Sequence, residues 1–225
     1  MHDLDARALA TIYGGAGGPW GPLMIAATIL GSGWSALGLL PLCRWSRTRR
    51  FARALTLAIV LQAIVVWAIK LAVGRVRPWI VLGLPAPLGS PHDGSFPSGH
   101  ASGSFCVAAF LAVALPAAWP GSTWRGRLVA AATVGLAALV AVSRVYLGAH
   151  FPSDVMAGAV TGACFGAAAG FLYLGKDLGK DLGKDLGPYL GAANAREERD
   201  ANLDPERPRA TPESDANMGP TGSQT

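Results

Sequence analysis

The chain has 225 residues, of which 51% are hydrophobic and only 15% are charged, and its formal net charge is +5. Soluble globular domains carry about 25% charged residues, so this composition argues against an ordinary soluble domain. The charge is unevenly distributed, because residues 1–175 hold 12 Lys and Arg against 4 Asp and Glu, whereas residues 176–225 hold 7 against 10. No basic stripe with interleaved aromatic residues occurs, so the positive charge does not predict nucleic-acid binding.

Long runs without Asp, Glu, Lys or Arg account for this composition, and they cover residues 8–43, 54–69, 101–124, 128–143 and 155–175. A membrane-spanning helix needs about 20 predominantly apolar residues. We therefore predict an all-α fold, a polytopic transmembrane helical bundle with about five spans, at about 20–42, 52–73, 98–119, 127–147 and 154–174. A soluble protein is excluded, because too few polar residues remain to form a water-facing surface around five such apolar helices.

The two ends of the chain differ from this apolar part. Leu4, Ala8, Leu9 and Ile12 recur at helical spacing, which favours a short helix at the membrane interface; whether residues 1–19 form a sixth membrane element stays open. A Leu-Gly-Lys-Asp repeat and then polar residues follow the last run, a composition typical of disorder. The predicted organisation is an N-terminal segment at 1–19, a transmembrane domain at 20–174 and a largely disordered cytoplasmic tail at 175–225.

Arginine-rich connections orient the predicted bundle. Several arginines crowd the first connection, between Arg44 and Arg53, and Arg125 and Arg127 flank the third. Because Lys and Arg are enriched in cytoplasmic loops, both connections are predicted to be cytoplasmic. The loop 74–97 and the turn 148–153 then face the other side, which is the periplasm if the membrane is a bacterial inner membrane.

Three cations lie at the end of the second span, at Lys70, Arg75 and Arg77. Lys70 and Arg77 are about two turns apart, so a continuous helix that ends before Pro78 would place them on one side. Arg75 falls on another face and is interpreted as a cation that anchors the helix at the membrane surface. Lys70 lies a turn deeper, where a charge needs a partner.

The sequence Pro97-Ser98-Gly99-His100 opens the third span. Pro97 suits the first turn of a helix. Ser98 and Gly99 would then expose backbone N–H groups at the helix N-terminus, where anions bind, and His100 would lie in the first turn. Taken alone, the tripeptide Pro-Ser-Gly is explained as well by an ordinary junction between a loop and a helix.

Ionisable residues also lie between the fourth and fifth spans, where the membrane makes charge costly: Arg144, His150 and Asp154. Pro152 fits the first turn of a helix, so His150 is predicted just before that helix and Asp154 in its first turn. For this stretch alone, a capping Asp with a chance His is an equally good interpretation.

The predicted topology brings these three segments to one face of the membrane. Several cations and a cluster of helix N-terminal amides make an oxyanion pocket, and the matching substrate group is phosphate. Two histidines and a carboxylate would supply a nucleophile, an orienting acid and a proton donor. No carboxylate cluster suited to magnesium is present. The three cysteines are scattered on the spans, which indicates packing residues rather than disulfides or metal ligands.

The three segments resemble the three signature motifs of the type 2 phosphatidic acid phosphatase superfamily: Lys-x6-Arg-Pro at 70–78, Pro-Ser-Gly-His at 97–100 and Ser-Arg-x5-His-x3-Asp at 143–154. All three are complete and in the family's order. The resemblance extends over about 20–174 and leaves the tail outside. Many membrane members of the family have six spans, whereas five are predicted here.

The resemblance implies an integral-membrane, metal-independent phosphatase without a cofactor. His150 would attack phosphorus and form a phosphohistidine, Asp154 would orient His150, and His100 would protonate the leaving oxygen. The resemblance assigns the phosphoryl oxygens to Lys70, Arg77, Ser98, Gly99 and Arg144. The substrate would be a lipid phosphate or diphosphate from the bilayer, with undecaprenyl diphosphate, phosphatidylglycerophosphate and phosphatidic acid as the leading candidates. The sequence does not choose among these lipids or indicate an oligomeric state.

Two other functions stay open at this point. A vanadate-dependent haloperoxidase has the same motif set, but it resembles soluble proteins, and the predicted spans argue against it. A transporter or channel for a phosphorylated lipid would use the cations without needing a His–Asp pair.

Overall fold

The structure, a computed structural model, describes residues 2–32, 46–87, 93–118 and 123–175. All of them belong to one structural unit, Met1–Leu178. The helices are α1 (His2–Ile12), α2 (Gly21–Leu30), α3 (Ser46–Val73), α4 (Pro78–Val81), α5 (Gly99–Ala118), α6 (Thr123–Tyr146) and α7 (Pro152–Gly175). No strand occurs within the described ranges, so the predicted all-α fold is confirmed. The predicted tail lies outside them, apart from Gly175.

Four stretches of the bundle are long and apolar enough to cross a membrane: Thr48–Val81, Gly99–Pro116, Trp124–Tyr146 and Pro152–Gly175. They correspond to the second to fifth predicted spans. The first predicted span, 20–42, is described only in part. Its helix α2 has 10 residues, which is about 15 Å and too short to cross a bilayer. Residues 33–45 lie outside the described part of the chain.

Glycines at every fourth position of α7 bring this helix against α5. Gly162 and Gly166 lie against backbone carbonyl oxygens of α5, and Gly158 lies against that of Ser98 just before it; a Cβ at any of the three would overlap the oxygen. Small residues at this spacing allow close helix approach in membranes. The N–H of Ser98 donates to the carbonyl oxygen of Asp154 at 2.9 Å, so the starts of the two helices are joined.

An aromatic cluster fills the opposite end of the bundle, where α3, α5 and α7 meet. The rings of Phe51 and Phe110 pack edge to face with their centroids 5.0 Å apart, and Tyr173 lies 5.8 Å from Phe51. Arg50 donates to the carbonyl oxygen of Tyr173 at 2.9 Å. This end is held by ring packing and apolar burial.

Helix α1 confirms the predicted N-terminal helix, but it also packs on the bundle. Leu9 is 2% exposed and belongs to a core cluster with Val145 and Phe151. The backbone N–H groups of Gly14 and Gly15 donate to the carbonyl oxygen of Tyr146 at 3.2 and 3.1 Å. The N-terminal segment is therefore attached to the α6–α7 turn.

Candidate active site

The three motif segments meet at one end of the bundle, around the α6–α7 turn. The structure buries most of the predicted polar site residues here: Lys70, Arg77, Ser98, Arg144, His150 and Asp154. Gly99 and His100 begin α5 and are half-buried. His100 lies in the first turn of α5, directly after Ser98 and Gly99. The predicted residues are thus brought together, and their roles remain predictions.

The path of the chain after α3 differs from the expected one. The helix ends at Val73, and Gly74 follows with φ 58°, a left-handed conformation that favours glycine. Pro78 then begins α4 instead of ending α3, with Arg77 extended before it. The prediction of a continuous helix from Lys70 to Arg77 is therefore wrong.

Lys70 and Arg77 nevertheless share one partner, the carboxylate of Asp93. Lys70 Nζ lies 2.8 Å from Oδ2 and Arg77 Nη2 lies 2.7 Å from Oδ1 of this half-exposed side chain. Partial burial alone would raise the pKa of Asp93, but the hydrogen bonds and charges of Lys70 and Arg77 outweigh it and hold the pKa below its usual value. Asp93 was not among the predicted site residues.

His150 is 1% exposed, and both of its ring nitrogens face polar groups. Nε2 lies 3.2 Å from Arg77 Nη1. A guanidinium only donates, so Nε2 accepts and the ring proton belongs on Nδ1. Burial lowers the pKa of His150 to about 4, against the opposing effect of Asp154, with further lowering by Arg77 and Arg144. The ring is therefore neutral near pH 7, as a nitrogen nucleophile must be.

The contact between His150 and Asp154 is mediated by a residue that the sequence did not single out. His150 Nδ1 lies 3.7 Å from Asp154 Oδ2, which is longer than a hydrogen bond. Ser95 Oγ lies 3.4 Å from the same nitrogen and donates to Oδ2 at 2.5 Å. The N–H of Phe151 also donates to Oδ2, at 2.9 Å. The Ser95 hydroxyl therefore joins the histidine to the carboxylate.

The expectation for Arg75 is wrong. Because α3 has already ended, helical spacing does not set the direction of this side chain. Its Nη1 donates to Asp154 Oδ1 at 2.5 Å and to Ser153 Oγ at 2.7 Å. Its Nη2 donates to Asp5 Oδ2 at 2.7 Å. Arg75 is thus a partner of the predicted catalytic carboxylate, and a role as membrane anchor does not explain these contacts.

Four buried side-chain donors have no hydrogen-bond partner within the described ranges: Ser98 Oγ, Arg144 Nε, Arg75 Nε and Trp79 Nε1. Two of them, Ser98 Oγ and Arg144 Nε, belong to residues predicted to bind the phosphoryl group. Arg144 Nη1 donates to Thr28 Oγ1, which fixes one edge of the guanidinium. A Cβ on Gly99 would meet nothing closer than Val66 Cγ1 at 3.9 Å, so the backbone there faces open space.

The start of α5 also corrects a prediction about backbone donors. The helix begins at Gly99, whereas Pro97 was expected in its first turn. The N–H of Ser98 is already bonded to the carbonyl oxygen of Asp154, so it is not available to an anion. The Ser98 hydroxyl is the group of this residue that remains for a ligand.

An apolar cavity of about 280 Å³ begins at Gly99 and extends between α2, α3, α5 and α6. Gln62 on its wall is buried and accepts a hydrogen bond from Ser102. In the part of the chain that the structure describes, no group of three or more His, Cys, Asp or Glu side chains could hold a metal ion. Cys106 and Cys164 are free thiols, and Cys43 lies outside that part.

The sequence profile of the PAP2 superfamily matches residues 51–175, which is more than half of the chain and includes all three motifs. The chain belongs to the PAP2 superfamily. The chain is 39% identical over 84 residues to phosphatidylglycerophosphatase B of Bacillus subtilis (strain 168). The aligned part covers 37% of this chain and 39% of the relative. The match therefore spans well under two thirds of that relative's length.

Two solved PAP2-type structures are similar over a longer part of the chain. One is the transmembrane PAP2 type phosphatidylglycerolphosphate phosphatase from Bacillus subtilis, with a TM-score of 0.62 and 27% identity, covering 78% of this chain and 85% of that one. The other is LpxE of Aquifex aeolicus, with a TM-score of 0.53 and 28% identity, covering 65% and 82%. These likenesses extend the resemblance from the motifs to most of the PAP2 bundle.

Proposed function

We propose that this PAP2 protein is an integral-membrane phosphatase that hydrolyses a lipid phosphate or diphosphate through a phosphohistidine. The observation that carries the proposal is the pair of buried donors without partners, Ser98 Oγ and Arg144 Nε, beside a neutral His150. A buried donor left unpaired costs about 1–3 kcal/mol, so such groups are expected to meet a ligand. A phosphoryl group has the oxygens that would satisfy both.

In the proposed complex, the phosphoryl oxygens are bound by Lys70, Arg77, Ser98, Gly99 and Arg144. The carboxylate of Asp93 already accepts from Lys70 and Arg77 in this structure. When substrate binds, Lys70 and Arg77 must therefore either leave Asp93 for the phosphoryl oxygens or bind the Asp93 carboxylate and the phosphoryl oxygens at the same time. Arg77 Nη1 must also turn away from His150 Nε2, because its N–H occupies the lone pair that attacks phosphorus.

The reaction then proceeds in two steps. His150 Nε2 forms a bond to phosphorus while the bond from phosphorus to the leaving oxygen breaks, and His100 gives that oxygen a proton. In the second step, water attacks the phosphohistidine, His100 takes up the proton of the water, and the P–N bond breaks to release inorganic phosphate. General acid–base catalysis of this kind typically contributes about 10²–10⁴-fold to the rate.

Phosphatidylglycerophosphate is the first substrate to test, because it appears in the name of the Bacillus subtilis relative and in that of the similar Bacillus subtilis structure. A polyprenyl diphosphate and phosphatidic acid are the other members of the panel. The apolar cavity below Gly99 offers space beside the site for part of a lipid chain. Comparing kcat/KM over this panel identifies the preferred lipid. If purified protein releases phosphate from none of the three, transport of a phosphorylated lipid, or a haloperoxidase-like activity, becomes the better explanation.

We further propose that the protein lies in a bacterial inner membrane with this site on the periplasmic side. Single cysteines at positions 46 and 90 of a cysteine-free variant test this orientation. A membrane-impermeant thiol reagent added to intact cells is expected to label position 90 and to leave position 46 unlabelled. Labelling of position 46 under these conditions reverses the orientation.

The roles of the two histidines can be separated by the leaving group. A good leaving group needs little protonation, so His100→Ala is expected to form a phosphoenzyme from nitrophenyl phosphate but not from an alkyl phosphate. His150→Ala is expected to form none from either substrate. The measurement is acid-labile, base-stable phosphate on the protein after a rapid quench. Trapped phosphate in His150→Ala would show that the nucleophile is wrongly assigned.

A further inference from the structure

Helix α1 reaches the predicted site through one side chain, Asp5. Its Oδ2 accepts from Arg75 Nη2 at 2.7 Å, and its Oδ1 accepts the backbone N–H of Ser153 at 3.1 Å. The Ser153 hydroxyl donates to the same carboxylate. Asp5 therefore caps the N-terminus of α7, the helix that carries Asp154.

Arg75 joins this cap to the predicted catalytic carboxylate. One end of its guanidinium binds Asp154 Oδ1 and the other binds Asp5 Oδ2. Its planar group also lies over the ring of Phe151, with Cζ 4.3 Å from the ring centroid. A planar fork held at both ends and on one face has little freedom to move, so it fixes the carboxylates that it binds.

We propose that Arg75 is a positioning residue for Asp154, and that α1 is part of the active site because Asp5 holds Arg75 in place. The inference rests on the proposed function, and neither Asp5 nor Arg75 belongs to the residues predicted to touch the phosphoryl group. With Oδ1 held by Arg75, Oδ2 faces Ser95, and Ser95 faces His150 Nδ1. Loss of Arg75 releases one end of the carboxylate and with it the orientation of the imidazole.

The ion pair is present at neutral pH. Partial burial alone would raise the pKa of Asp5, but hydrogen bonds from Ser153 and Arg75 outweigh this effect and hold the pKa below its usual value. The Arg75 guanidinium contacts Asp5, Ser153, Asp154 and Phe151. Because neither Ser98 nor Arg144 is among these partners, Arg75 is expected to affect the chemical step and to leave anion binding unchanged.

The test compares turnover with inhibition by inorganic phosphate. For Arg75→Ala we expect kcat to fall roughly 10- to 100-fold, the range typical of residues that orient a catalytic group, while the inhibition constant for phosphate stays within about twofold. Arg77→Ala is expected to raise that inhibition constant. Arg53→Ala, which removes an exposed arginine from α3, is the matched control and should change neither quantity.

Two further variants exclude simple misfolding as the cause. Arg75→Lys keeps the charge and is expected to recover part of the lost kcat. Guanidinium ions are expected to rescue Arg75→Ala, because Arg75, Asp5, Phe151 and Ser153 line an open groove of about 590 Å³. An Arg75→Ala variant with unchanged kcat, or with a weakened affinity for phosphate like that of Arg77→Ala, overturns the inference.

The part of the proposal that concerns α1 is tested by Asp5→Asn. A smaller loss of kcat is expected than for Arg75→Ala, and the combined loss in the double variant should be less than additive, because Asp5 acts on Asp154 partly through Arg75. Arg7→Gln changes an exposed charge on the same helix and serves as the control. Fully additive losses of kcat in the double variant would show that Asp5 does not act through Arg75.

A readout without turnover separates this inference from the proposed function. Arg75→Ala leaves the negative charge of Asp154 less compensated, so the pKa of His150 should rise from its low value in the intact protein. Titration of isotope-labelled histidine by NMR, with His150→Ala for assignment, measures it. If the intact protein releases no phosphate from any substrate, the proposed function fails, and the His150 titration then decides the inference alone. An unchanged His150 titration in Arg75→Ala overturns it.

Discussion

The two sides of the predicted site differ in how completely their polar groups are paired. On the carboxylate side, formed by Asp154, Ser95, Arg75 and Asp5, both oxygens of Asp154 are occupied, Oδ2 by Ser95 and a backbone N–H and Oδ1 by Arg75. On the cation side, formed by Lys70, Arg77, Arg144 and Ser98, two buried donors have no partner among the described residues. The half-exposed Asp93 is the acceptor that Lys70 and Arg77 share there.

This difference indicates a division of labour. On the carboxylate side Arg75 Nε also has no partner among the described residues, but both oxygens of Asp154 are hydrogen-bonded, which holds this carboxylate in one geometry. An unpaired buried donor, by contrast, carries a penalty until a ligand arrives. The carboxylate side is therefore suited to orient His150 from behind, through Nδ1. The cation side is suited to receive an anion at Nε2. Substitutions on the cation side should weaken binding and turnover together, and those on the carboxylate side should slow turnover alone.

The largest effect is expected on the cation side. Arg77→Ala and Arg144→Ala should each lower kcat/KM, by an amount that corresponds to roughly 2–5 kcal/mol of lost transition-state stabilisation. Each variant removes a charge-assisted contact to a phosphoryl oxygen in a partly dry site. The inhibition constant for inorganic phosphate should rise in both variants. If phosphate inhibits them as strongly as the unaltered protein, the cation side is not where the anion binds.

A smaller effect is expected from Ser95→Ala on the carboxylate side. The hydroxyl that joins His150 to Asp154 is lost, so kcat should fall by an amount that corresponds to about 1–2 kcal/mol in activation free energy. KM should stay nearly unchanged. Ser102→Ala is the matched control, because Ser102 is a buried serine of α5 whose hydroxyl donates to Gln62 and not to His150 or Asp154. Equal kcat losses in the two serine variants would show that the effect is structural.

The pH dependence tests the state of His150 directly. The attacking ring must be neutral, and burial lowers its pKa to about 4. In His100→Ala, where the second histidine no longer titrates, the rate of phosphoenzyme formation from nitrophenyl phosphate should stay constant as the pH falls from 7 to about 5, after correction for ionisation of the substrate, whose second phosphate pKa is about 6. This rate should be lost as the pH falls further, through about 4. An acid limb centred at the ordinary histidine value of about 6.5 would show that His150 is not shielded in this way.

The smallest expected effect is that of chelation. Excess EDTA should leave kcat unchanged, because the cation side supplies its positive charge from Lys70, Arg77 and Arg144. Loss of turnover that added magnesium restores would mean that a metal ion completes the site.

The sequence predicted those parts of the site that local rules determine. Pro152 begins α7, so His150 precedes the helix and Asp154 lies in its first turn, as expected from spacing alone. The spacing of Gly158, Gly162 and Gly166, which is visible in the sequence, allows the close approach of α7 to α5. Both features depend on residues within a few turns of one another.

The missed residues depend on the path of the backbone between helices. The Arg75 side chain points in an unexpected direction because Gly74, with a positive φ, turns the chain just after α3. The spacing of apolar residues in a sequence does not reveal such a turn. Ser95 and Asp93 lie in a connection, where side-chain direction does not follow from spacing. Asp5 is 149 positions before Asp154 in the sequence, so its part in the network follows only from the packing of α1.

The outer surface of the bundle affects how any of these measurements is made. Large apolar side chains face outward along its helices, with Trp67 61% and Phe171 65% exposed, so detergent or lipid must cover them whenever the protein is in solution. An enzyme in such a layer meets a lipid substrate by lateral diffusion within it. Its KM is then expressed as the mole fraction of substrate in the micelle or vesicle. Adding detergent at constant total substrate should lower the measured rate by surface dilution, with the intrinsic kcat unchanged.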